Sequence, residues 1–223
     1  WGRTRVGEFI QQRFNDTKMT AARLASYVIN ECSQLYHQRP GDDTTVAVTR
    51  VIRRQVVNIF TGPPSRKEDD ERVVHDFMKQ EGKKVICGGT SANVASRVLK
   101  REIVTLVKHA DPKIPPMATM EGLDLVTEGV LTIGSALDLL HRYENDEFDE
   151  AFFDALDAEN GAAKLARLLI EECTDLNLFV GRALNPAHQN SNLPFDLSVR
   201  MNLVEQLKDC AERMGKHVTV KYY

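Results

Sequence analysis

The sequence predicts an α/β domain over residues ~55–223, a mostly parallel sheet flanked by helices, preceded by an α+β tail in residues 1–54. Three observations carry this. Short β-branched runs such as QVVNIF, KKVICGG and DLNLFVG alternate with longer amphipathic stretches. KKVICGG runs through its glycines straight into the next helical pattern. The periodicity also changes near residue 54, before which two helical patterns lead to a single β-branched run. Strands that read as near-continuous apolar runs are buried on both faces, so helices are expected on both sides of the sheet.

In order, VGEFIQQRF reads as a short helix. TAARLASYVINECSQLY follows with apolar residues at Ala21, Leu24, Ala25, Val28, Ile29, Cys32, Leu35 and Tyr36, a one-sided helical stripe. Arg39-Pro40-Gly41-Asp42-Asp43 makes a turn, and TTVAVTRVI a strand. QVVNIF is the first strand of the α/β region, broken by Thr61-Gly62-Pro63-Pro64. Ser65 and Glu68 form a capping box for a helix bearing Val73, Val74, Phe77 and Met78. KKVICGG is the second strand, TSANVASRVLK a helix and REIVTLV the third strand. The proline-rich ADPKIPPMATMEG is a loop before a fourth strand, LDLVTEG.

GVLTIGSALDLLHRY is then a helix, and the acidic run 145–159 an irregular or short helical excursion, read as a solvated surface insertion or a dock for a basic partner. AAKLARLLIEEC is a helix, DLNLFVG the fifth strand, SVRMNLVEQLKDCAERM a long helix and KHVTVKYY a closing strand. No internal repeat or low-complexity linker interrupts the pattern.

With 223 residues, 42% of them hydrophobic, the chain can bury a substantial core. A formal charge of -3 gives no global attraction to nucleic acid or anionic lipid, so neither is expected as a partner. No apolar run approaches the roughly 20 residues of a membrane span. Cys32, Cys87, Cys173 and Cys210 form no CxxC pair, and they read as reduced, mostly buried thiols of a cytoplasmic protein. The chain opens at WGRTRVG without a Met, which reads as a cut inside a longer polypeptide.

In a parallel sheet, ligands bind beyond the carboxyl ends of the strands. Gly62 follows the first strand, Gly88-Gly89-Thr90-Ser91 the second, Glu121 and Glu128 flank the fourth, and Arg182, Asn185, His188, Gln189 and Asn190 follow the fifth. For Gly88 to Ser91 two readings stand. One is a tight turn capped by Thr90 or Ser91; the other is a phosphate or carboxylate site at a helix amino terminus. The loop matches neither the dinucleotide nor the P-loop glycine pattern. Arg182 and its neighbours form either an anion-recognising loop or an ordinary polar one. Glu121 and Glu128 are candidates to pair with Arg182, to bind a metal, or to cap helices. The six histidines show no metal-ligand spacing, and there is no nucleophile elbow.

The first fifty residues, ending in RPGDDTTVAVTRV, resemble the carboxyl-terminal end of the bacterial PPM-type metal-dependent serine/threonine phosphatases, in particular the stage II sporulation protein E branch. FTGPPSRKEDD, VICGGTSANVASRVL, MEGLDLVTEGVLTIGSALDLL and LFVGRALNPAHQN resemble the extension of the hydrogenase-associated type. The resemblance implies that Asp42 ligates a metal, Asp43 fills the neighbouring D/N position and Thr45 the hydroxyl position. It implies Mn2+ or Mg2+ as cofactor and a phosphoserine or phosphothreonine protein as substrate of the complete protein. The family's other metal aspartates would precede Trp1, and one carboxylate cannot hold a two-metal centre, so this chain alone is expected to lack phosphatase activity.

The α/β extension is then expected to regulate or target the phosphatase by binding a small anionic ligand. A second reading makes it an interaction or homodimerisation module, with the stripe of the Thr20–Tyr36 helix packing on a second copy. A third gives it an activity of its own through Glu121, Glu128 or His188.

Overall fold

The computed structural model describes residues 1–14, 19–39, 41–106, 116–183 and 195–223. Contacts divide the chain into two compact units, Trp1–Arg53 with Glu147–Phe153, and Arg54–Asp146 with Asp154–Tyr223.

The first unit contains α1 (Arg3–Phe14) and α2 (Ala21–Leu35). Thr20 starts α2 because its hydroxyl accepts the Arg23 N–H at 3.2 Å. The expected stripe buries Leu24 and Val28. Tyr27 meets Phe153 at 6.1 Å, and the Arg23 guanidinium lies 4.8 Å over the same ring. Ile29, Leu35 and Tyr36 stay exposed, so only part of the stripe presents a free apolar face.

The strand expected at TTVAVTRVI is absent. Residues 44–52 have no regular structure, and Val51 is 94% exposed. The residue types favour an extended backbone, but a strand also requires a hydrogen-bonded partner, and residues 44–52 pair with no strand among the described residues. The tail is therefore helical without a strand among its described residues.

The second unit is an α/β fold. Its strands are β1 (Val56–Thr61), β2 (Lys83–Cys87), β3 (Val104–Thr105), β4 (Ala118–Thr119), β5 (Leu125–Thr127), β6 (Asp175–Val180) and β7 (His217–Tyr222), in the sheet order β3-β4-β5-β2-β1-β6-β7. From β5 to β7 all pairings are parallel, and β3 and β4 add an antiparallel edge. The parallel strands step outward from β1 to β2 and β5, then reverse to β6 and β7. The strand order therefore switches between β1 and β6, as in doubly wound folds.

Helices α3 (Asp70–Met78) and α4 (Gly89–Leu99) cover one face, where Phe60, Val73, Phe77, Ile86, Ala95, Val126 and Phe179 form one buried cluster. Phe77 sits between Phe60 and Phe179 at 5.9 and 5.6 Å, tilted against the first and edge-on to the second. Alternate strand residues, Val57, Ile59, Val85, Leu176 and Leu178, are buried toward the opposite face. That face carries α5 (Val130–Glu144), α7 (Gly161–Arg167) and α8 (Phe195–Arg213).

Asn58 is wholly buried in the central strand. It is satisfied there: its amide donates to the Glu81 and Lys83 carbonyls at 2.8 and 3.1 Å, and its oxygen accepts from its ladder partner Asn177 at 2.9 Å.

Four local expectations are corrected. The Ser65/Glu68 capping box does not form: Ser65 Oγ donates to the Tyr223 carbonyl, and α3 begins at Asp70 after a short 3-10 turn. Among the described residues of REIVTLV only Val104–Thr105 form a strand, exposed at the sheet edge. The short β4 lies inside what reads as a loop, since two residues are too few for a periodic signal. Finally, the acidic run does hold a short helix, α6 (Glu150–Leu156), but it is no solvated insertion, because Phe152, Phe153 and Leu156 are buried. The acidic residues mask an apolar face that turns inward.

Candidate anion site at the carboxyl edge of the sheet

Parallel register sets the geometry of the edge. Cys87 pairs with Thr61 and with Thr127, and Thr61 pairs with Val180. The residues that follow, Glu128, Gly88, Gly62 and Gly181, therefore leave the sheet at the same edge, in the order of their strands.

At the strand-order switch the edge is closed by its own backbone. The Gly181 N–H donates to the Thr61 carbonyl at 2.9 Å, and the Ala183 N–H to the Pro63 carbonyl at 3.1 Å. Gly62 has φ +74°, and a Cβ there would lie 2.5 Å from the Gly181 oxygen, so only glycine fits. Buried Arg200 fills the remaining space and donates through Nη2 to the Ala183 carbonyl at 2.6 Å. Sequence reasoning missed Arg200. The available signal is its place on the apolar stripe of α8, with buried Val204, Leu207, Cys210 and Ala211 following at helical spacing.

One strand along, the edge is open. Gly88 takes φ +132°, letting β2 turn directly into α4, and its N–H donates to the Thr127 carbonyl. No side chain caps α4 and no acidic residue occupies its first turn, so the early amides face outward without a carboxylate beside them. A Cβ on Gly89 would meet nothing within 4 Å. Ser91, only 1% exposed, has its hydroxyl 3.4 Å from where a Gly88 Cβ would stand, directed back at the helix start. That oxygen has no hydrogen-bond partner. Leaving a buried hydroxyl unsatisfied costs about 1–3 kcal/mol, which an acceptor arriving at this turn would recover. Thr90 is exposed beside it.

The other expected residues separate. Glu128 closes the amino terminus of α5, accepting the Leu131 N–H at 3.2 Å, so that helix carries its own anion. Glu121 precedes β5 and lies at the opposite edge of the sheet, 4.0 Å from Arg101. Arg182 is two strands from Gly88, and its guanidinium lies 4.2 Å over the Tyr222 ring on β7, away from the open turn. Asn185, His188, Gln189 and Asn190 lie outside the described residues. Burial pushes the Cys87 thiol, at the end of β2, up to about 12, which favours the protonated thiol at this edge near neutral pH.

Asp42 is exposed in its turn, and its carboxylate accepts the Asp43 N–H at 2.9 Å. It joins no group of metal-donor side chains among the described residues. One exposed carboxylate already engaged by its own turn does not hold a divalent ion, so the residues present do not fit the Mn2+ or Mg2+ that the resemblance implies.

No protein-family model, curated protein or solved structure matches the chain. Among the described residues no helix is long and apolar enough to cross a membrane.

Proposed function

We propose that the α/β unit is a cytoplasmic ligand-binding module that takes a small phosphate- or carboxylate-bearing molecule at the amino terminus of α4. We propose further that it regulates or targets a PPM-type serine/threonine phosphatase of which this chain is the carboxyl-terminal portion. The observation that carries the ligand reading is the buried, unpartnered Ser91 hydroxyl directed at an uncapped helix start. The phosphatase reading rests on the sequence resemblance alone. In it the complete protein hydrolyses phosphoserine or phosphothreonine in a protein substrate with Mn2+ or Mg2+.

A thermal-shift screen against phosphate- and carboxylate-bearing metabolites tests the ligand reading. A ligand at about 100 times its Kd adds about 2.7 kcal/mol of stability. Gly89→Val adds a Cβ that meets nothing within 4 Å and is expected to abolish the shift, and Ser91→Ala to weaken it. Arg182→Ala is expected to leave it unchanged. A broad panel with no shift at all would count against the site. For the phosphatase reading, this chain is expected to show no Mn2+-dependent hydrolysis of a phosphoserine peptide. Hydrolysis surviving Asp42→Ala would instead put an enzyme in the α/β unit.

The alternative, a protein-interaction or homodimerisation module, is favoured by exposed Ile29, Leu35 and Tyr36 on and just beyond α2. Light scattering at micromolar concentration decides it, since a strict monomer removes homodimerisation.

A further inference from the structure

At the carboxyl ends of α5 and α8, on the helical face of the sheet opposite α4, three different donor atoms converge. His141 and Glu144 sit one turn apart at the end of α5, and Cys210 lies in the last turn of α8. An imidazole nitrogen of His141, a Glu144 carboxylate oxygen and Cys210 Sγ all lie within 4.8 Å of one another. We infer that this cluster is a binding site for a thiophilic divalent cation, Zn2+ by its donor chemistry, which would clamp α5 to α8.

Both the donor types and their placement favour zinc. One imidazole nitrogen, one carboxylate and one sulfur suit zinc, whose bonds to them are about 2.0–2.3 Å long. Ligands on such bonds stand about 3.3–3.6 Å apart in a tetrahedron. His141 Nδ1 is already 3.1 Å from Glu144 Oε2, so only the sulfur side has to close. The shared space is now held together by protons: Glu144 interacts with both the imidazole and the Cys210 thiol. A cation taking those two positions replaces hydrogen bonds that already converge on one carboxylate.

Arg213 supplies the outer support. It binds Glu144 bidentately, Nε to Oε1 at 2.7 Å and Nη2 to Oε2 at 3.1 Å, and carboxylates that ligate metals are commonly held in this way by a second donor. Its positive charge opposes a dication, and the thiolate and carboxylate together offset that, leaving a net charge of +1. The His141 side chain is 42% exposed, which gives an entry path and leaves the fourth position to water, while Cys210 is fully buried behind it. The sequence shows the site only as the H-x-x-E of HRYE, one helical turn, with the cysteine 66 residues later.

The test is Co2+ titration of the full chain followed by absorption. The site predicts one equivalent bound, with tetrahedral visible bands and a near-ultraviolet thiolate-to-cobalt band that Zn2+ displaces. His141→Ala, a half-exposed change that leaves the fold intact, is expected to weaken binding at least tenfold, and Cys210→Ser to remove or strongly alter the thiolate band. No thiolate band with excess Co2+, or a band unchanged in both variants, overturns the assignment.

Discussion

Residues 44–52, TTVAVTRVI, and residues 56–61, VVNIFT, are built from the same vocabulary of Val, Ile and Thr. The first is mostly exposed and irregular; the second is the buried central strand of the sheet. The difference lies in what surrounds them. VVNIFT has β2 on one side and β6 on the other, and helices on both faces. Propensity prepares a backbone for the extended state, and a partner edge decides whether that state is a strand.

The largest expected effect breaks the comparison at its buried end. Phe60→Ala removes a ring that is wholly buried against Phe77 and should cost about 3–5 kcal/mol in urea unfolding. Val51→Ala, an equally apolar truncation in the unpaired run, should stay within about 0.5 kcal/mol. A large cost for Val51→Ala would mean that the segment is structured after all.

A smaller effect concerns charge. Arg213 holds the Glu144 carboxyl down to about 2, well below the ordinary carboxylate range, and Arg54 does the same for Asp175. A carboxyl whose pKa is depressed on folding contributes stability above its ordinary value and loses it as pH falls toward the folded one. Stability should therefore decline between about pH 4 and pH 2. Arg213→Ala should flatten that limb by the part belonging to Glu144 and leave the part from Asp175, as read by acid titration of the unfolding midpoint. An unchanged acid limb would deny the pair its assigned role.

Much of the fold was legible because the long parallel strands declare themselves as apolar runs, and α4 and α5 as amphipathic patterns bounded by glycine. What was hidden depends on contacts made across the chain. The two-residue β3 and β4 exist only through each other and β5. The acidic residues around α6 concealed Phe152, Phe153 and Leu156, and Ser65 found the Tyr223 carbonyl in place of a helix cap. The Gly88 to Ser91 turn was visible as a motif, but whether Ser91 would cap the helix or remain unpartnered was not. Arg182 was placed in the same crevice because both loops follow strands, although strand order separates them and Tyr222 draws the guanidinium outward. Arg200 and the His141, Glu144 and Cys210 cluster require helices to meet in space, and no local spacing encodes that.

The ligand reading is tested most directly by titrating inorganic phosphate into the 15N-labelled chain and following its backbone amides. Anion binding at the start of α4 predicts saturable shifts that are largest at Gly89, Thr90 and Ser91, with affinity on the order of millimolar for so small a probe, and their loss in Gly89→Val. Unmoved amides at this turn, or shifts centred on Gly181 and Arg182 instead, would contradict it.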